Sequence, residues 1–359
     1  MTVEPIRYGI VGLGRAGWPL HFEALCARED ARVVAVADPL AERRREAADL
    51  SGCQTHRSIG GLLKQPDVEV VVIASPSVRH GPDARRALRA GKHVVVEKPM
   101  ALSVKEADGM LRTAAETGMK LFVHQNYRYQ KVFVHLKGVL DSGALGRLYH
   151  VRNYGSFFLR RNDWQTLSAN GGGVLNNTCP HNVDILLQMM GAPIVQVMGD
   201  LKQIASAGDT EDHVKAFLRA ENGCTADLEI SSAQNIALEL PLWVLCGSCG
   251  TVTIDAQGRS TLRWFNPAEA PPLEAVAGAV AGRRYGNDDQ LPWQERVVDV
   301  ETQTPDSGSF YDNLAAVLRR GEPMAITGES VREVIRVLAL VRKGSPFPGR
   351  PLRRHRARG

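Results

Sequence analysis

The first 124 residues alternate short β-branched runs with stretches of helical composition. Apolar strands are predicted at 6–11, 33–37, 68–74, 94–96 and 121–123, with helices at 15–27, 40–50, 79–90 and 104–117 between them. The run at 68–74 is almost wholly Val and Ile, as expected of a strand buried on both faces. Strand–helix alternation of this kind implies right-handed crossovers and a parallel sheet covered by helices on both sides. The expected unit is a doubly wound α/β domain over residues 1–124.

Beyond residue 124 the pattern changes. After a helix at 132–140, strand-like runs accumulate at 147–157, 194–201, 213–219, 224–230, 242–246, 250–255 and 259–265. Short turns join them without intervening helices, which predicts a large, mostly antiparallel sheet in an α+β domain over 125–359. One apolar helix is expected at 174–190, interrupted by Asn176, Asn177, His181, Asn182 and Asp184. Two more helices, near 311–319 and 330–341, close the chain, and the low-complexity stretch 271–282 reads as a loop.

Composition adds exclusions. The chain has 359 residues with a net charge of +5, and its last ten residues carry five arginines and no acid. The body is therefore close to neutral, which argues against a nucleic-acid-binding domain; the tail reads as a frayed terminus. No run approaches the ~18 apolar residues of a membrane span, and the N-terminus has no signal-peptide pattern, so a cytoplasmic location is expected. The six cysteines lack regular spacing, and Cys246 and Cys249 flank a hairpin turn without the second pair that a zinc ribbon needs. No metal is expected.

The candidate chemistry sits in three places. Gly12, Gly14 and Gly17 form G-x-G-x-x-G between a predicted strand and helix, and Asp38 ends the next strand 21 residues after Gly17. The first glycine suits the tight turn, the second lets a pyrophosphate approach the backbone, and the third allows close helix–strand packing. Free N–H groups at the helix start favour phosphate. Asp38 is expected to accept from ribose hydroxyls and to repel a 2′-phosphate, favouring NAD over NADP; Arg43, Arg44 and Arg45 either form a solvated helix face or reach that phosphate. Glu97, Lys98 and Pro99 follow a very apolar strand at the carboxyl edge of the sheet, where ligands gather, and the Pro99 bond is a candidate for cis. Finally, Asn177 and His181 stand four apart, with Asp184 a further three along, in a helix whose start must accommodate Pro180. By itself, His181 reads as a structural histidine bonded to the backbone.

Together these features resemble the Gfo/Idh/MocA oxidoreductases, the family of glucose–fructose oxidoreductase and inositol dehydrogenase. The matching segments are Gly12 to Gly17 with Asp38, Ser75-Pro-Ser-Val-Arg-His80, Glu97-Lys98-Pro99, Asn126-Tyr127-Arg128, the block from Gly171 to Asp184, Tyr311-Asp-Asn-Leu and Gly328-Glu-Ser. The resemblance implies a Rossmann domain followed by an α/β domain whose open sheet face builds homodimers or homotetramers. It implies cofactor contacts from Gly12, Gly14, Arg15, Ala16, Gly17, Asp38, Ser75, Pro76, His80, Glu97, Lys98 and Asn126. It also implies hydride transfer between a nicotinamide and a secondary hydroxyl of a sugar, cyclitol or sugar derivative. Lys98 would orient that hydroxyl and His181 take its proton, roles that suit an ammonium and an imidazole. Tyr127, Arg128, Arg160, Arg161, Trp164 and Asn177 are further candidates for substrate contact, although the segment 157–164 reads equally as loop packing. Many relatives have aspartate where this chain has Asn177, and an amide cannot accept a proton or supply charge. Two alternatives remain at this stage: a tightly held NAD used for transient oxidation during elimination or glycoside cleavage, and a non-catalytic dinucleotide sensor.

Overall fold

The computed structural model describes residues 4–235, 239–275, 277–278, 289–302 and 307–347. Residues 276 and 279–282 of the low-complexity stretch 271–282 and all of the arginine-rich tail lie outside them. Six strands build the first sheet: β1 (Ile6–Val11), β2 (Ala31–Ala37), β3 (Gln54–His56), β4 (Val70–Ile73), β5 (His93–Glu97) and β6 (Leu121–His124). They run parallel in the order β3-β2-β1-β4-β5-β6. This is the doubly wound order, with the switch point between β1 and β4. Every residue of β4 is buried, which explains its unbroken Val and Ile.

The first crossover opens as a π-helix over Gly17–Glu23 and continues as α1 (Ala24–Cys26), where an α-helix over 15–27 is expected. Pro19 lies in its first turn, where the missing N–H forfeits no intrahelical hydrogen bond. Then come α2 (Ala41–Ser51), the single turn α3 (Ile59–Leu62), α4 (His80–Arg89) and α5 (Val104–Thr117). Ser103 caps α5 by accepting from Glu106 N–H, and Gly118 closes it in the left-handed conformation.

The chain then forms α6 (Lys131–Asp141), β7 (Leu148–Ser156), the helical pair α7 (Val174–Asn177) and α8 (Cys179–Met190), and β8 (Ile194–Lys202). Strands β9 (His213–Ala220), β10 (Thr225–Ser231), β11 (Trp243–Gly247), β12 (Gly250–Ile254), β13 (Arg259–Trp264) and β14 (Gln294–Asp299) complete an eight-stranded sheet. Its order is β14-β13-β12-β11-β7-β10-β9-β8, antiparallel except for the β7–β10 pair. Alternating burial along β9, β10 and β12 marks one covered and one open face. Cys246 and Cys249 bracket the β11–β12 hairpin as free thiols.

The terminal helices α9 (Ser307–Arg320) and α10 (Gly328–Lys343) pack back across both sheets' layers. Helix α9 reaches the first sheet through Tyr311, which packs edge-on against Tyr8, and through Arg319, whose guanidinium pairs with Glu69. Among the described residues no helix is long and apolar enough to cross a membrane.

Candidate active site

A cleft of about 700 Å³ opens at the carboxyl edge of the parallel sheet. Its walls include Gly12, Gly14, Arg15, Ala16, Asp38, Ser75, Pro76, His80, Glu97, Lys98, Asn126, Tyr127, Trp164, Asn177 and His181. The tertiary fold therefore gathers most of the residues singled out by motif into one place.

The glycine loop shows why glycine is required. Gly12 has φ +91°, and a Cβ there would lie 2.6 Å from the Ala74 carbonyl oxygen. A Cβ on Gly17 would lie 1.8 Å from the Gly12 carbonyl oxygen, so Gly17 serves helix–strand packing and does not line the cleft. At Gly14 a Cβ would meet only Arg43 Nη1, at 3.7 Å, leaving the open approach that a pyrophosphate needs. The loop therefore fits a dinucleotide. Asp38 is buried; its Oδ2 accepts from Leu13 N–H (2.8 Å) and its Oδ1 from Leu40 N–H (2.9 Å). Of the three arginines on α2, Arg43 turns into the cleft, with Nη1 3.5 Å from Asp38 Oδ2. Arg44 instead donates to the Asp38 and Pro39 carbonyls. Arg57 and Ser58 join this end because β3 pairs with β2 and sets His56 beside Ala37. No sequence spacing announces those two residues.

Lys98 follows β5 through a cis bond to Pro99. His80 links that turn to the Ser75 loop: its ring nitrogens face the carbonyl oxygens of Pro99 (2.7 Å) and Ser75 (2.8 Å). Lys98 Nζ donates to the Asn177 backbone carbonyl at 2.8 Å. That acceptor is free because the expected helix over 174–190 is broken at Thr178. Pro180 lies in the first turn of α8, and His181 N–H donates to Thr178 O rather than to Asn177 O. Among the described residues the Asn177 side chain makes one long hydrogen bond, Nδ2 donating to Gln165 O at 3.5 Å.

His181 stacks on Tyr127 with ring centroids 3.8 Å apart and 14° between planes. Among the described residues its buried Nδ1 has no hydrogen-bond partner, and His181 lines the cleft. Burial, reinforced by the Lys98 charge, holds the imidazole well below its usual pKa, so it is neutral at pH 7. Burial also lowers the Lys98 ammonium; the Glu97 charge opposes that and Arg15 adds to it.

Two residues expected at the substrate, Arg128 and Arg160, do not line the cleft. Among the described residues Asp184 makes no hydrogen bond to His181. It is buried and accepts from Arg128 Nε (2.8 Å) and Nη2 (2.5 Å). Arg128, expected at the substrate, is consumed by this pair and by Ser330 Oγ (3.0 Å), and it does not line the cleft. Helix packing turns it inward because a buried carboxylate requires a partner. Arg160 is exposed and also stands away from the lining, whereas Arg161 binds Asp163 and Gln165. Glu97 lines the cleft, and its carboxylate also faces a core cluster. Oε1 accepts from His21 Nε2 (2.9 Å) and His124 Nδ1 (2.6 Å), and His21 Nδ1 meets the Tyr311 hydroxyl at 2.6 Å. The donor atoms of His21, Glu97 and His124 lie within 4.8 Å of one another, and these hydrogen bonds account for their approach. His21 and His124 sit in apolar helix and strand contexts that gave no signal of this role.

Comparison with known proteins agrees with this architecture. The family model described as "Oxidoreductase family, NAD-binding Rossmann fold" matches residues 6–125, and the GFO/IDH/MocA C-terminal domain matches 133–253. The chain is 34% identical over 231 residues to a 1-carboxy-3-chloro-3,4-dihydroxycyclohexa-1,5-diene dehydrogenase of Comamonas testosteroni, covering 63% of this chain and 58% of that protein. It thus spans less than two thirds of that relative's length. It is 28% identical to the inositol 2-dehydrogenase of Rhizobium meliloti, over 70% of this chain and 76% of the relative. An NAD-binding protein from Listeria innocua superposes with a TM-score of 0.81 at 25% identity, covering 96% of this chain and 99% of that one. Glycine loop, Glu-Lys-Pro turn, second sheet and both domain matches lead to one conclusion: the chain belongs to the Gfo/Idh/MocA family of NAD-binding oxidoreductases.

Proposed function

We propose that the protein is an NAD-dependent dehydrogenase moving hydride between a secondary hydroxyl of a sugar, cyclitol or sugar derivative and the nicotinamide. The observation that carries this reading is the meeting of Lys98 and a neutral His181 in the cleft beneath the glycine loop. The Gly12–Ala16 loop would hold the pyrophosphate and Asp38 the adenosine ribose; the cofactor, when bound, supplies a hydride acceptor. His181 Nε2 takes the hydroxyl proton. The Lys98 ammonium, fixed by the Asn177 carbonyl, orients the oxygen and favours its developing negative charge. Tyr127 keeps the imidazole plane in place, and Trp164 offers an exposed aromatic face to an apolar face of the ring.

A screen of NAD reduction against polyols and aldoses tests the reading; no turnover above background with any of them would overturn it. Its pH profile carries a sign. Because His181 is held below its usual value, kcat/KM for oxidation should stay flat as pH falls through 6.5 and decline only at lower pH. An acid limb centred above 6.5 would contradict a neutral, buried base.

Coenzyme choice rests on Asp38. Its carboxylate disfavours a 2′-phosphate, but Arg43 and Arg57 beside it soften that repulsion. Asp38→Ser is expected to raise kcat/KM for NADP at least tenfold and lower it for NAD, measured with one substrate at fixed ionic strength. An unchanged ratio would remove Asp38 from coenzyme selection.

A further inference from the structure

Behind Lys98 lies a buried polar cluster that the proposed chemistry does not use. Its members come from four elements: His21 from the first crossover helix, Glu97 from β5, His124 from β6 and Tyr311 from α9. All four are buried, at 0%, 5%, 1% and 1% exposure. Proton accounting constrains them. Glu97 Oε1 accepts from both histidines, so His21 carries a proton on Nε2 and His124 on Nδ1. With Nε2 protonated, a neutral His21 has Nδ1 as an acceptor, and the Tyr311 hydroxyl donates to it. The other carboxylate oxygen, Oε2, accepts from the backbone N–H of Lys98 at 3.1 Å.

We infer that Glu97 is a positioning residue: anchored through His21, His124 and Tyr311, its carboxylate fixes the main chain of Lys98 and serves as the buried counter-charge to that lysine's ammonium. This rests on the reading of Lys98 as the group that meets the substrate. Burial alone would raise the Glu97 carboxyl, but His124 and His21 outweigh it and hold it well below the usual range, so the charge is present at neutral pH. Arg15 on the glycine loop and His181 on α8 interact electrostatically with Lys98, and Tyr127 and Asp163 line the same cleft. Glu97 is the one that offsets the loss of the lysine's proton caused by burial and by Arg15.

The test is NMR titration of lysine side chains in isotopically labelled protein without added dinucleotide, with Lys98→Met identifying the signal. Glu97→Gln preserves shape and removes charge. It should lower the Lys98 midpoint by about one pH unit and move the alkaline limb of kcat/KM to lower pH by the same amount. Glu97→Asp should keep the midpoint close to that of the parent. A folded Glu97→Gln protein with an unmoved midpoint would overturn the inference, as would stoichiometric metal bound at His21, Glu97 and His124. Should Glu97→Gln fail to fold, Tyr311→Phe decides. Loss of the donor to His21 should lower kcat about threefold at unchanged KM for NAD, and unchanged kcat would count against the anchor. Turnover retained in Lys98→Met would instead defeat the reading of Lys98, leaving the titration to be judged separately.

Discussion

Lys98→Met and His181→Asn are each expected to lower kcat by about 10²–10⁴-fold, a loss larger than the accompanying changes in melting temperature and dinucleotide affinity account for. Methionine matches the length of the lysine stem but cannot donate to the Asn177 carbonyl or favour an alkoxide. Asparagine at 181 retains polarity but cannot take a proton at neutral pH, and it loses the stacking surface on Tyr127. The effects should not multiply in the double variant, because both groups act on one hydroxyl. Steady-state kinetics on the best substrate, with dinucleotide binding followed by fluorescence, separates these losses. Full activity in either single variant would remove that residue from the chemistry.

Arg128→Met is expected to act on stability. The Arg128–Asp184 pair is nearly inaccessible, with the aspartate fully buried, and burial alone would push the Asp184 carboxyl up against the pull of Arg128. Removing the guanidinium strands that carboxylate and should cost about 3–5 kcal/mol, seen as an earlier denaturant midpoint. Replacing both, as Arg128→Met with Asp184→Leu, should restore much of the loss, because an apolar pair needs no charge compensation. A residue that bound substrate would behave differently: stability would hold and KM would rise. Because Asp184 lies one turn beyond His181 on α8, some fall in kcat should accompany the destabilised single variant.

Where local signals were strong, the sequence reading and the structure coincide closely. Both place a helix over Val104–Thr117, and the strands from β7 to β13 fall within a residue or two of their expected ends. Two strands carry no such signal. β3 is three residues long, and β14 is exposed along nearly its whole length, so neither carries the alternation that burial imposes. The expected helix over 174–190 is split at Thr178, two residues before Pro180.

The same division runs through the candidate site. Short-range sequence grammar determined the Rossmann half, the glycine loop and the Lys98 turn, because strand burial, backbone conformation and phosphate approach are local demands on residue type. Only the tertiary structure decided which charges face the cleft. Arg43 turns in while Arg44 caps a backbone turn, and Arg128 pairs with Asp184 while His181 is left neutral against Tyr127. It also drew His21, Glu97, His124 and Tyr311 together across as many as 290 residues of chain. A polar side chain's partner is selected by where packing excludes water, since an unpaired polar group there is costly. That exclusion is a property of the assembled layers and leaves no spacing in the chain.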